Sequence, residues 1–90
     1  MNKVDLIHTV TEKTGFTKKD VSYIIEETLN GIADALAKGE RVQLVGFGNF
    51  EMRERAARKG RNPQTGEPIE IAASRIPTFR PGKTLRDGVQ

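Results

Sequence analysis

"RERAARKGRNPQTGEPI", residues 53–69, decides how the rest of the chain can be read. Between Met52 and Ile69 there is no large apolar residue, so this stretch has nothing to offer a core. It carries five cations: Arg53, Arg55, Arg58, Lys59 and Arg61. "NPQTG" (62–66) has turn chemistry, because Asn62 and Pro63 start a bend and Gly66 permits a positive φ. Before the turn, "NFEMRER" (49–55) alternates, with Phe50 and Met52 on one side and Glu51, Arg53 and Arg55 on the other. After it, Ile69 and Ile71 lie two apart. An outgoing strand, a turn and a returning strand predict a protruding two-stranded arm. From Met52 to Pro63 it would reach roughly 35 Å, at about 3.3 Å per residue. A ribbon without an apolar face is unstable in water. The arm is therefore expected to be mobile until a partner orders it.

Working outward, "RVQLV" (41–45) alternates with Val42 and Leu44 on one side, and "GFG" (46–48) turns the chain into the next strand. "GFGNF" lacks the third glycine of a dinucleotide loop and the Gly-Lys-Ser/Thr of a phosphate-binding loop. It reads as a tight hairpin turn, with Phe47 and Phe50 as core residues. The strand that begins after Pro68 is expected to run on through "SRIPTF" (74–79), with Pro77 at an edge or a bulge. Two helices precede these strands. The first spans about 3–14, capped by Asn2 and Asp5, with Val4, Ile7 and Val10 on one face and Gly15 as its stop. The second starts at a Thr17/Asp20 capping box with Phe16 and Val21 as a hydrophobic staple. Its stripe of Val21, Ile24, Ile25, Thr28, Leu29, Ile32, Ala33 and Leu36 ends at Gly39. The stripe is wider than a short first helix covers, so part of it meets a sheet or a second subunit. After Pro81-Gly82, a last short helix follows.

This is an α+β pattern in one expected domain, 1–90. The helical hairpin occupies 1–39, the sheet 40–55 and 69–82, the distal arm 56–68 and the C-terminal helix 83–90.

Ninety residues with 36% hydrophobic content leave a thin core once the arm is set aside. A partner subunit is one way to supply the missing burial. The net charge of +3 is unevenly placed. Residues 1–38 hold five cations and six anions, whereas 39–90 hold ten cations and six anions. Clustered arginine suits a polyanion (DNA, RNA or an anionic membrane), and the plain alternative is a solvated loop. The absence of cysteine excludes disulfides and thiolate metal sites. His8 stands alone and reads as a surface or packing residue. Glu26 and Glu27 are adjacent and so point in different directions on their helix. Neither a metal, a cofactor nor a catalytic constellation is expected, and an enzyme is disfavoured. "MNKVDLIHTV" (1–10) has no apolar run suited to a signal peptide or membrane span, so a soluble, cytoplasmic protein is expected.

Of the polyanions, DNA fits the arm well. Arginines neutralise phosphates without choosing a sequence, and a two-stranded ribbon fits within a groove. Pro63 admits two readings. One is a turn former. The other is a compact apolar wedge between base pairs, beside Asn62 and Gln64, which can bond minor-groove acceptors. Structured RNA is a second candidate partner. Readers of single-stranded RNA stack bases on exposed aromatics, but the one tyrosine, Tyr23, falls on a helix and the phenylalanines read as core.

"GFGNFEMRERAARKGRNPQTGE" (46–67) resembles the signature of the bacterial histone-like HU and integration host factor family. "FRPGKTLRD" (79–87) resembles its C-terminal signature and "MNKVDLI" (1–7) its N-terminus. The resemblance covers the whole chain, and the length without added segments resembles the HU branch. It implies an intertwined homodimer, with helical hairpins as a base, a three-stranded antiparallel saddle and two ribbon arms around double-stranded DNA. It implies a dimer core of Phe47, Phe50 and Phe79 with Leu29, Ile32, Leu36 and Leu44. It assigns phosphate contacts to Arg53, Arg55, Arg58, Lys59 and Arg61, and the saddle contacts to Lys3, Arg75, Arg80 and Lys83. Pro63 matches the wedge, which is this family's known device for kinking the minor groove. The implied function is architectural: binding with little sequence preference, bending and compacting DNA in the nucleoid, and favouring nicked, gapped or distorted duplexes.

Overall fold

Asn2 starts the first helix by a reciprocal bond. Its Oδ1 accepts from the Asp5 N–H at 2.9 Å, and its own N–H donates to Asp5 Oδ2 at 3.1 Å. That capping box satisfies donors a helix start otherwise leaves open. The computed structural model describes residues 1–90, from α1 (Lys3–Thr14) and α2 (Lys18–Ala37) through five strands to α3 (Lys83–Gly88). The chain divides into two units, Met1–Asp34 and Ala35–Gln90.

In the first unit, Gly15 ends α1 in the left-handed region at φ 75°, where an L side chain would be strained. Thr17 Oγ1 accepts from the Asp20 N–H at 3.2 Å and opens α2. Ile7 on α1 and Val21 on α2 are buried, and Lys3 on α1 pairs with Glu26 on α2. Val10, Thr14, Phe16, Val21, Ile24 and Ile25 line a shallow apolar groove. Phe16 remains 61% exposed, so the expected staple leaves most of its ring uncovered.

The second unit is built on an antiparallel sheet of β1 (Val42–Leu44), β2 (Gly48–Arg55) and β5 (Ser74–Pro81), in the order β1-β2-β5. The register pairs Phe50 with Val42 on one side and with Phe79 on the other. Since side chains alternate, one face carries Val42, Leu44, Phe50, Met52, Pro77 and Phe79. The other carries Gln43, Asn49, Glu51, Arg53, Arg55, Thr78 and Arg80. The Phe79 ring lies 4.8 Å from Phe50 and 5.6 Å from Phe47, centroid to centroid, in tilted arrangements that aromatic quadrupoles favour. Gly48 makes this possible: a Cβ there would fall 2.5 Å from the Phe79 ring and 2.7 Å from the Arg80 carbonyl oxygen. The β1–β2 turn closes with the Phe47 N–H on the Leu44 carbonyl at 2.9 Å. The Gly82 N–H returns to the Phe47 carbonyl at 2.8 Å, which ties the start of α3 to that turn. Pro77 sits on β5, an edge strand, where a missing N–H costs least.

The strand expected to run unbroken past Pro68 is two strands. β4 (Pro68–Ile71) pairs with β3 (Arg58–Arg61) as a separate two-stranded sheet, and β5 begins only at Ser74. The interruption falls at Ala56–Ala57 on the outgoing chain and Ala72–Ala73 on the returning one. Alanine is a weak strand former, and facing alanines lack the cross-strand side-chain contacts that stabilise a ladder.

Gly48→Ala is expected to destabilise the fold by about 1–3 kcal/mol, because the added methyl must displace an aromatic ring or backbone. Thermal unfolding followed by circular dichroism should show a midpoint lowered by several degrees.

Candidate nucleic-acid interface

The arm has two chemically different faces. The register pairs Arg58 with Ile71, Lys59 with Glu70, Gly60 with Ile69 and Arg61 with Pro68. Cross-strand partners share a face, so Arg58 and Gly60 lie with Ile69 and Ile71, while Lys59 and Arg61 lie with Glu70 and Pro68. Ile71 Cδ1 and Ile69 Cγ1 come within 3.4 and 3.8 Å of where a Gly60 Cβ would stand. The expectation of an arm without an apolar face is therefore corrected. The outgoing strand brings none, but the returning strand lays two isoleucines over a glycine. This patch is small, and Ile69 is still 43% exposed.

The tip is closed by its own bonds. The Asn62 N–H donates to the Glu67 carbonyl at 2.9 Å, and the Gly66 N–H donates to the Asn62 carbonyl at 2.7 Å. Asn62 Oδ1 accepts from the Gln64 N–H at 2.8 Å, an Asx turn that starts the bend. Gly66 adopts φ 73°. With its oxygen engaged, the Asn62 side chain offers its NH2 group, which is what the acceptors on a minor-groove floor require. Pro63 stands exposed in the turn. It has no amide proton to satisfy, so it can meet an apolar surface without a polar penalty.

Arg53, Arg55, Arg58, Lys59 and Arg61 are all exposed, and none takes part in an ion pair. The cations nearer the body differ. Arg80 Nε forms an ion pair with Glu51 Oε1 at 2.8 Å, and Arg41 Nε lies 3.7 Å from Glu51 Oε2. Lys3 is held by Glu26 in the first unit. Lys83 is exposed at the start of α3. Arg75 departs from its expected grouping. The register places it opposite Glu54, on the apolar face rather than with Arg53, Arg55 and Arg80. There its guanidinium donates to the Leu36 carbonyl at 3.3 Å and the Ala37 carbonyl at 3.4 Å. It thus adds a second donor to the Leu36 carbonyl, which already accepts the Gly39 N–H at 3.0 Å, and serves the Ala37 carbonyl at the C-terminus of α2, where a cation also complements the helix dipole. Arg41 and Glu51 join the polar face as an ion-paired group that the sequence alone does not single out. The alternation of Glu51 with Arg53 and Arg55 is the one signal that points to either. No group of three or more His, Cys, Asp or Glu side chains comes together in a way that could hold a metal ion. No helix is long and apolar enough to cross a membrane.

A free cationic ribbon ending in a self-bonded proline turn, beside a sheet with arginines on one face, defines a nucleic-acid-binding protein that reads its partner with strands. Comparison with known proteins narrows the class. The family model described as "Bacterial DNA-binding protein" matches residues 1–90, and the chain belongs to that family. It is 58% identical over 90 residues to the DNA-binding protein HU of Geobacillus stearothermophilus, covering 100% of both chains. It is 57% identical, again over 100% of both, to the HU of Staphylococcus aureus (strain COL). Among solved structures, the Anabaena HU–DNA cocrystal matches with a TM-score of 0.90 and 48% identity, over 99% of this chain and 97% of that one. HU from Thermotoga maritima matches with a TM-score of 0.71 and 40% identity over 100% of both.

Replacing Arg58 and Arg61 together by alanine should flatten the dependence of log K on log salt. The slope is expected to fall by about 0.9 for each duplex phosphate that the arm no longer neutralises. Titrations across a range of salt concentrations would measure it; an unaltered slope removes both residues from the phosphate contacts.

Proposed function

We propose that two copies of this chain form an architectural DNA-binding dimer that bends and compacts DNA by binding its minor groove with little sequence preference. The observation that carries this reading is Pro63, exposed in a closed turn at the end of an arm whose cations have no partners of their own. The arm cations neutralise phosphates and release counterions, which supplies affinity independent of sequence. Asn62 and Gln64 bond acceptors on the groove floor, and Pro63 enters a base step and unstacks it. Bending a site costs a few kcal/mol, which the contacts of the wrapped surface offset. Nicked, gapped or mismatched DNA needs less deformation and so binds more tightly. The protein acts by holding and deforming its partner rather than by catalysis. It works in the cytoplasm, on the nucleoid.

The dimer reading rests on apolar surface that one chain leaves open. In the second unit Leu44, Phe47 and Phe79 are 39%, 48% and 38% exposed, with the two rings 5.6 Å apart, and in the first unit Leu29 is 50% exposed. Paired aromatic exposure of this kind marks an interaction surface. A second identical chain covers it with the same residues, as a two-fold interface requires. Phe47, Phe50, Phe79, Leu29, Ile32, Leu36 and Leu44 form the shared core, Leu36 being already buried within one chain. On this reading residues 1–90 form one binding and dimerisation domain.

The native protein should sediment at twice the 10.0 kDa chain mass, and Phe47→Ala should shift it toward monomer. Sedimentation of both as monomers would end the dimer reading. Pro63→Ala should reduce the bend angle, read by fluorescence transfer between duplex ends, while lowering affinity only slightly. An unchanged angle would remove the wedge. Gel shifts with intact, nicked and mismatched duplexes test the shape preference directly.

A further inference from the structure

Glu51 is an acidic residue on the cationic face of a DNA-binding protein. It lies on β2 in alternation with Arg53 and Arg55, and diagonally across from Arg80 on β5. By charge alone it opposes a polyanion. The geometry gives it another part. Its side chain is 20% exposed, whereas those of Arg41 and Arg80 are 60% and 65% exposed. Its two oxygens face different arginines, and at both it is the inner nitrogen, Nε, that approaches. Each guanidinium therefore keeps its terminal NH2 groups for a second acceptor. A guanidinium fork matches phosphate geometry through such paired N–H groups. The single carboxylate between two like charges also relieves their mutual repulsion.

We propose that Glu51 is a positioning residue for DNA binding: it braces Arg41 and Arg80 by their inner nitrogens and presents both forks to backbone phosphates. This rests on the reading that the polar face of the sheet meets DNA. Ordering a long side chain before its ligand arrives removes part of the entropy cost of binding. The brace adds affinity even though its own charge is unfavourable.

The two effects differ in sign, and that makes the test sharp. Glu51→Ala removes a negative charge, so charge alone requires tighter binding. Bracing requires weaker binding, by about two- to tenfold, the range that follows from ordering one rotamer-rich side chain. The native protein, Glu51→Ala, Glu51→Gln, Arg80→Ala and the Arg41→Ala/Arg80→Ala pair, with and without Glu51→Ala, would be titrated against one short duplex at fixed salt. Thermal melts would verify that each is folded. Glu51→Gln keeps one acceptor oxygen and is expected to fall between the native protein and Glu51→Ala. In the background lacking both arginines there is nothing to brace, so Glu51→Ala should no longer weaken binding. Equal or tighter binding by Glu51→Ala in the native background overturns the proposal. A separate result, unchanged affinity of Arg80→Ala, would remove the sheet face from the DNA contact and the brace with it.

Discussion

The Phe79 ring lies on the bare backbone of Gly48, and most of the second unit follows from that contact. Any side chain at position 48 would hold the ring away from Phe47 and Phe50. With the ring in place, β5 pairs with β2 in a single register from Gly48 opposite Pro81 to Arg55 opposite Ser74. That register sorts the side chains. It sends the phenylalanines, Val42 and Met52 to one face and Arg53, Arg55 and Arg80 to the other. A slip of one residue would reverse every one of these assignments. The cationic face is thus a consequence of how one aromatic ring is seated.

The local features are legible in the sequence because they depend on near neighbours. The Asn2–Asp5 box, the stop at Gly15, the turn at Gly46 and the bend from Asn62 to Gly66 are each set within a few residues. Alternation in "NFEMRER" is enough to separate Phe50 from Arg53. What escapes such reading depends on pairing. Arg75 looks like any other cation in a basic half-chain, and only its place opposite Glu54 turns it toward the end of α2. The isoleucines of β4 look like ordinary strand residues until Gly60 is known to lie beneath them. The alanine pairs at 56–57 and 72–73 are unremarkable apart. Their effect arises because the register brings them to the same level.

The cations divide by how they are held. Four answer to protein groups: Arg80 and Arg41 to Glu51, Arg75 to two carbonyls, Lys3 to Glu26. Arg53 and Arg55 at the outer end of β2, and Arg58, Lys59 and Arg61 on the arm, have no ion-pair partner. Unpaired arginines and lysines on a surface keep their water and their freedom, and their charge is neutralised only when a polyanion supplies the phosphates. Affinity drawn from such groups rises and falls with ionic strength.

The paired alanines carry a mechanical consequence. Because the hydrogen-bond ladder stops at residue 55 and resumes at residue 58, force applied at the tip reaches the sheet through two covalent strands and not through a continuous β-structure. Load carried by the outer ribbon therefore strains the connectors before it reaches the Phe79 packing. The same separation makes the outer ribbon a replaceable tool: its length and its tip are free to vary without a change in the register that holds the body together.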